Sequence, residues 1–267
     1  MRFLSTGRRH PAIKTLFLAL ALIAMGAFYA GMAPVSQSSA DGGNSTQVEE
    51  GRKLYEIGCS SCHGLQAEGT SQGPTLAGVG SASVDFQMGT GRMPAAQPGA
   101  QMPRKENRYT DEEIAAIAAY IDTFGPGLTI PEPEQYSAEG LSEEDIARGG
   151  ELFRTNCSAC HNFSGKGGAL PEGKYAPTLE GVDDKHIWEA MRTGPQQMPV
   201  FSQEVMTDQD TREIIAYLNH LHERPNDGGM ALGGLGPVPE GAFAWIAGIG
   251  VLVGFAVWIA AKGVRVK

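Results

Sequence analysis

"CSSCHG", residues 59–64, and "CSACHN", residues 157–162, hold all four cysteines of this 267-residue chain. In each, Cys-x-x-Cys is followed at once by a histidine, His63 or His161, and the surrounding sequence repeats with the motif. "VEEGRKLYEIGCSSCH" aligns with "IARGGELFRTNCSACH", which sets Gly51 over Gly149, Leu54 over Leu152 and Tyr55 over Phe153. "PTLAGV" (74–79) matches "PTLEGV" (177–182), "MGTGRMP" (88–94) resembles "MRTGPQQMP" (191–199), and "TDEEIAAIAAYI" from Thr110 matches "TDQDTREIIAYL" from Thr207. Four blocks in the same order are a tandem duplication of one unit.

Each unit opens with a helix that runs into the cysteine motif and closes with a helix started by Thr-Asp, a good N-cap pair. Ile114, Ile117, Tyr120 and Ile121 recur at helical spacing in the first closing helix, as do Ile214, Tyr217, Leu218 and Leu221 in the second. Such stripes predict core faces. Between the helices the units are rich in Gly and Pro. From the motif histidine to the PTL threonine takes 12 residues in the first unit and 17 in the second. Pro/Gly-rich linkers follow each unit, "GPGLTIPEPEQYSAEG" from 125 and "RPNDGGMALGGLGPVPEG" from 224, and neither predicts a helix. Units under about 100 residues bury too little apolar surface to be secure without a metal, a disulfide or a cofactor.

Four chemistries use a CxxC pair. Disulfides do not require a histidine directly after the second cysteine, twice. A zinc site sets its CxxC pairs about 15–20 residues apart, far closer than these. A thioredoxin-like pair belongs in a βαβ pattern that this helix-and-loop sequence lacks. Covalent c-type haem accounts for every residue: the thiols of Cys59 and Cys62, and of Cys157 and Cys160, bond the haem edge, and His63 and His161 ligate iron. The expected cofactors are two covalently bound haem c.

A six-coordinate electron-transfer haem needs a second axial ligand, and methionine in that place raises the potential. The first unit has no other histidine, so its candidates are Met88, Met93 and Met102. Met93 follows the shared Thr-Gly and precedes Pro, as Met198 does. Met102 also precedes Pro, and its distance from Thr110 is close to that of Met198 from Thr207. The pattern alone leaves those two level. Met198 leads in the second unit, with His186, His220 and His222 as alternatives; Met88 and Met191, at matched helical positions, read as flexible core filler. The PTL loop supplies a partner for each ligating histidine, since such a ring donates its other N–H to a backbone carbonyl. The carbonyls of Pro74 and Pro177 are the candidates.

Every charged residue before 41 and after 240 is basic, so residues 41–240 carry 14 basic against 30 acidic residues, a formal charge of −16. That sign excludes a nucleic-acid partner. Uncharged apolar stretches bracket the acidic middle, from Thr15 to Pro34 and from Gly241 to Ala261. Each is about the 20 residues that a helix needs to cross a bilayer. The first carries a signal-peptide-like Ser38-Ser39-Ala40, but its length favours a retained anchor. Basic flanks at both ends place 41–240 on the extracytoplasmic side of the cell membrane, with lipid contacts at a two-pass anchor.

Haem motif, PTL loop, Met-Pro and closing helix make each unit resemble a small class I cytochrome c domain. The whole chain, including "CHNFSGKGGAL", "GKYAPTL", "TGPQQMP" and "GGMALGGLGPVPEG", resembles the dihaem cytochrome cc subunits of actinobacterial cytochrome bcc (menaquinol:cytochrome c oxidoreductase) complexes. In that family "TGRMP" carries the methionine ligand, which favours Met93 over Met102. The resemblance implies partners: a Rieske iron–sulfur subunit and cytochrome b as neighbours, and an aa3-type oxidase whose CuA site takes the electrons, within a supercomplex. It also implies a chain that carries electrons for a quinol–cytochrome c reductase, does no bond chemistry and has no diffusible small-molecule substrate. A cbb3-type oxidase subunit and a dihaem peroxidase are the alternatives. The expected fold is all-α: two tandem cytochrome c domains (41–127 and 143–224) joined by a linker (128–142). They are flanked by a membrane helix within 1–40, and by a 225–240 linker, a 241–261 membrane helix and a basic tail, 262–267.

Overall fold

The computed structural model describes residues 11–32, 42–223, 232 and 237–263. The Ser38-Ser39-Ala40 segment, most of the 225–240 linker, and Arg265 and Lys267 of the basic tail lie outside these residues.

An N-terminal helix, α1 (Pro11–Met32), belongs to a unit of its own. The next unit begins with α2 (Gly42–Gly58), which leads into a single turn, α3 (Ser60–His63). A short α4 (Ser81–Gly89) and the closing α5 (Asp111–Asp122) complete the first domain. The second domain repeats the plan. α7 (Glu143–Asn156) runs into α8 (Ser158–His161), and α9 (Asp184–Thr193) and α10 (Asp208–Glu223) follow.

The caps explain where the closing helices start. Thr110 accepts from the Glu113 N–H at 3.3 Å while the Glu113 carboxylate accepts from the Thr110 N–H at 2.9 Å, a reciprocal box that satisfies two otherwise orphaned donors. Thr207 and Asp210 make the same exchange ahead of α10. Opening and closing helices cross at a glycine in both domains. A Cβ on Gly51 would sit 1.9 Å from the Ala116 carbonyl oxygen, and one on Gly149 1.9 Å from that of Glu213. Only a residue without a side chain allows backbones this close, which gives the aligned glycines of the two units their physical reason.

The first core gathers Tyr55, Met88, Ile114, Ile117, Tyr120 and Ile121, so the sequence stripe on α5 is the buried face. The second gathers Phe153, Ile187, Trp188, Met191, Ile214 and Leu218. On α10 the face is turned from the expected one: Ile215 is fully buried, while Tyr217 and Leu221 are half-buried. The five extra loop residues of the second unit form a hairpin. β1 (Gly168–Ala169) pairs antiparallel with β2 (Tyr175–Ala176) around a 3-10 turn at Pro171–Gly173.

Two expectations are corrected. The 128–142 linker contains a helical turn, α6 (Pro133–Tyr136), with Pro133 at its first position and a Glu132–Gln135 capping box. It is also not a free tether. Leu128, Tyr136 and Ala138 pack on the second core, and Arg212 donates to the Ser137 carbonyl at 2.7 Å. At the ends of the chain, α11 (Pro237–Gly263) contains an apolar run of 26 residues, Val238–Gly263, none of whose apolar window is buried among the described residues. Among the described residues it is the one helix long and apolar enough to cross a membrane; the apolar stretch of α1, Thr15–Met25, falls short of that length.

Candidate functional site

Both cysteine motifs fold identically. Cys59 ends the ladder of α2, donating its N–H to Tyr55 O, and its own carbonyl then accepts from Cys62 N (3.1 Å) and His63 N (3.0 Å). Cys157 does the same with Phe153, Cys160 (3.1 Å) and His161 (2.9 Å). The two thiols and the imidazole of each motif are thereby placed on one helical turn. Directly after each histidine the chain leaves through a positive φ, +82° at Gly64 and +68° at Asn162. With ψ near +160° at both positions, this is a region that only glycine adopts without strain. The glycine ending "CSSCHG" is thus a structural signal that the motif reading passes over, and the asparagine ending "CSACHN" holds the same turn under strain.

The PTL loop folds back over the turn. Leu76 N–H donates to Ala67 O and Leu179 N–H to Gly165 O, both at 2.8 Å. This carries a proline carbonyl to each imidazole: His63 Nδ1 lies 2.8 Å from Pro74 O, and His161 Nδ1 lies 3.0 Å from Pro177 O. A carbonyl only accepts, so each Nδ1 bears the proton and each Nε2 keeps a lone pair for a ligand. Both imidazoles are 9% exposed. Burial holds His161 below the usual histidine range, with the Pro177 carbonyl opposing. Burial, with the neighbouring cysteine adding to it, pushes the Cys59 and Cys157 thiols up to about 11. A redox-active CxxC needs the opposite, a depressed thiol.

The methionines separate by position. Met93 packs on the first core together with Cys59. Met198 packs on the second core with Cys157, and lines a cavity of about 610 Å³ together with Cys157, Cys160 and His161. Met102 lies on the wall of that same second cavity. Met88 and Met191 are buried in the cores. His186 borders the cavity, but its Nε2 faces Asp85 Oδ2 at 3.6 Å and Glu189 Oε2 at 3.9 Å; His220 and His222 are not among the lining residues. The loop bearing Met198 hangs on the buried Arg192, whose guanidinium stacks 5.3 Å over Trp188. It donates to the carbonyls of Phe201 (2.8 Å) and Met206 (2.7 Å) and to Asp208 (2.7 Å).

The cavity has the volume typical of cofactor sites, about 300–1,000 Å³. Its walls carry Phe153, Leu179, Ile187, Ile214 and Leu218, and both thiols and the imidazole open onto it. Apolar walls, paired thiols and an imidazole with a free Nε2 fit a covalently bound tetrapyrrole, with Cys157, Cys160, His161 and Met198 to hold it.

The first domain closes one side of this second cavity, an arrangement no local pattern announces. Gln101 pairs with the backbone of Tyr175 in both directions, at 2.6 and 3.2 Å, and Gln197 donates to Ala100 O at 3.3 Å. Where α4 meets α9, Lys185 bridges to Asp85 at 2.6 Å beside His186 and the fully buried Glu189. Burial works against the charge of Asp85, but hydrogen bonding with His186 and Lys185 outweighs it and draws the group down to about 2. Glu189 is pushed up to about 10, by burial first and by Asp85 next.

A family model described as "Cytochrome c" matches residues 48–125, and one described as "Cytochrome C oxidase, cbb3-type, subunit III" matches residues 144–218. The chain is similar to proteins named "Cytochrome bc1 complex cytochrome c subunit". That of Corynebacterium diphtheriae is 40% identical over 95% of both chains. That of Mycobacterium tuberculosis is 43% identical over 92% of this chain and 89% of its own. That of Corynebacterium efficiens is 44% identical over 80% of this chain and 77% of its own. With identity at this level along nearly the whole length and a cytochrome c match on each unit, the chain belongs to the family of cytochrome bc1 complex cytochrome c subunits, its two cytochrome c domains implying covalently bound haem c.

Proposed function

We propose that this chain is the dihaem wire of a menaquinol-oxidising bcc complex, relaying electrons from the Rieske iron–sulfur centre to the CuA site of an aa3-type oxidase. Haem supplies a reversible one-electron carrier in each domain. Cys59, Cys62, His63 and Met93 hold it in the first domain, and Cys157, Cys160, His161 and Met198 in the second. Pro74 and Pro177 orient the two histidines. The observation that carries the reading is the repetition of one arrangement, a buried imidazole with Nδ1 tied to a proline carbonyl on a CxxCH turn, in two domains packed against each other. Cytochrome b, the Rieske subunit and the oxidase are the partners. The α11 helix anchors the chain in the cell membrane, with residues 41–240 on the extracytoplasmic side.

A mild-detergent pull-down of the full chain with haem staining tests this. Co-recovery of a cytochrome b, an iron–sulfur protein and an aa3-type oxidase is expected; recovery of a haem-positive chain without them would sink the assignment. A cbb3-type oxidase subunit is the second reading, on the match over 144–218; recovery with that oxidase would favour it. If either ferric haem lacked the near-infrared methionine band and bound cyanide, a peroxidase-like enzyme would take the place of both.

A further inference from the structure

Arg92, in the turn after α4 of the first domain, is 9% exposed and lines the second domain's cavity. Its guanidinium lies 4.8 Å over the Phe86 ring, and among the described residues it has no carboxylate within ion-pair distance and no hydrogen-bond acceptor. A buried cation is expected to be paired. A second cation, Arg104, shares the wall and acts on Arg92 as a like charge; it is exposed and donates to Gly181 O at 3.4 Å. The third basic side chain of the lining, Lys166, is already bridged to Glu180 at 2.5 Å.

Among the described residues no aspartate or glutamate lines this cavity, although acidic residues outnumber basic ones 30 to 14 between 41 and 240. Two cations without a protein counter-charge therefore face one cavity, and both belong to the neighbouring domain. Buried Arg side chains are suited to forked recognition of carboxylates. The ligand that the cavity's thiols and imidazole fit, a haem, carries two carboxylates on one edge.

We propose that Arg92 and Arg104 form a carboxylate site at the domain interface that takes the propionate edge of the second domain's haem. The first domain then supplies the counter-charge for the second domain's cofactor, and the potential of one centre depends on residues of the other. The proposal rests on the haem reading above.

The test uses the full-length dihaem chain in detergent, without partner proteins, so that no acidic surface of a partner competes for the two arginines. Redox potentiometry resolves two midpoints, and the second haem is identified by the displacement that Met198→His causes. Arg92→Gln is expected to lower the second midpoint, because a cation favours the reduced state, and to leave the first midpoint and its near-infrared methionine band in place. Arg92→Lys is expected to restore most of the loss. Arg104→Gln, at an exposed position far in sequence from Met93, is expected to lower the same midpoint by less, and it serves if Arg92→Gln does not mature. The proposal is overturned if neither glutamine variant moves the second midpoint, or if the shift falls on the first haem. Fewer than two haems per wild-type chain in a haemochrome assay would defeat the haem reading itself instead.

Discussion

Met102 belongs to the first domain by sequence but is held on the second: its N–H donates to Gln196 Oε1 at 3.1 Å, and Gln196 Nε2 donates back to its carbonyl at 3.1 Å. The side chain lines the cavity of His161 and Met198, whereas Met93 packs on the first core beside Cys59. Spacing left these two methionines level as ligands; their surroundings separate them.

Met93→Ala is therefore expected to remove one haem's share of the near-infrared methionine band and to lower one midpoint, since methionine ligation raises the potential. Met198→Ala is expected to remove the other share. Met102→Leu is expected to keep both, and loss of band intensity in that variant would reverse the assignment.

Asn162 is expected to accept glycine and refuse alanine. At φ +68° and ψ +160° any Cβ-bearing residue is strained by about 1–3 kcal/mol. Asn162→Ala keeps that strain and loses the Asn162 Oδ1 acceptor of the Ser164 N–H, so it should be less stable than Asn162→Gly in denaturant unfolding by about that much. Equal stability of the two variants would contradict the turn described here.

Glu189 makes stability pH-dependent in a definite direction. Its carboxyl stays protonated in the fold to about pH 10 but ionises in the unfolded chain near its ordinary 4.5. The contribution is thus fully present below 4.5 and is lost as pH rises toward 10. Glu189→Gln cannot ionise. It is expected to be more stable than wild type by about 1–3 kcal/mol at pH 8, with the gap closing by pH 4. Thermal unfolding at the two pH values decides, and a variant less stable than wild type at pH 8 would contradict it.

Arg192→Leu is expected to cost about 2–4 kcal/mol, because three strong hydrogen bonds are lost and the Phe201 and Met206 carbonyls lose their donor. The loop of Met198 should loosen with it, seen as ligand exchange at one haem by carbon monoxide binding. Full retention of carbon monoxide resistance would mean that the loop holds its shape without the arginine.

Much of the architecture is legible in the residues. Thr110 and Thr207 announce their helices because a hydroxyl three residues before a carboxylate satisfies the free N–H groups at a helix start. The buried α5 stripe follows from its period. The α10 face does not, because Ile214 and Ile215 are adjacent and periodicity alone cannot say which neighbours claim them. The interface between the domains is less legible still. Gln101 meets Tyr175 across 74 residues and Met102 meets Gln196 across 94, and exposed glutamines carry no pattern that says what they will face. The arginine of "TGRMP" stands in a locally basic run with Arg104, Lys105 and Arg108, but its significance depends on a wall that exists only when both domains are folded.

That shared wall also orders how the protein comes into being. Gln101 and Met102 leave the ribosome well before Tyr175 and Gln196 exist to receive them, so the first domain waits with its docking segment unpaired until the second has formed its hairpin. Cut between the domains, the chain would not give two working halves; the second would lack a side of its own chamber. The duplication produced two copies of a unit, and the docking made the second copy's chamber depend on the first.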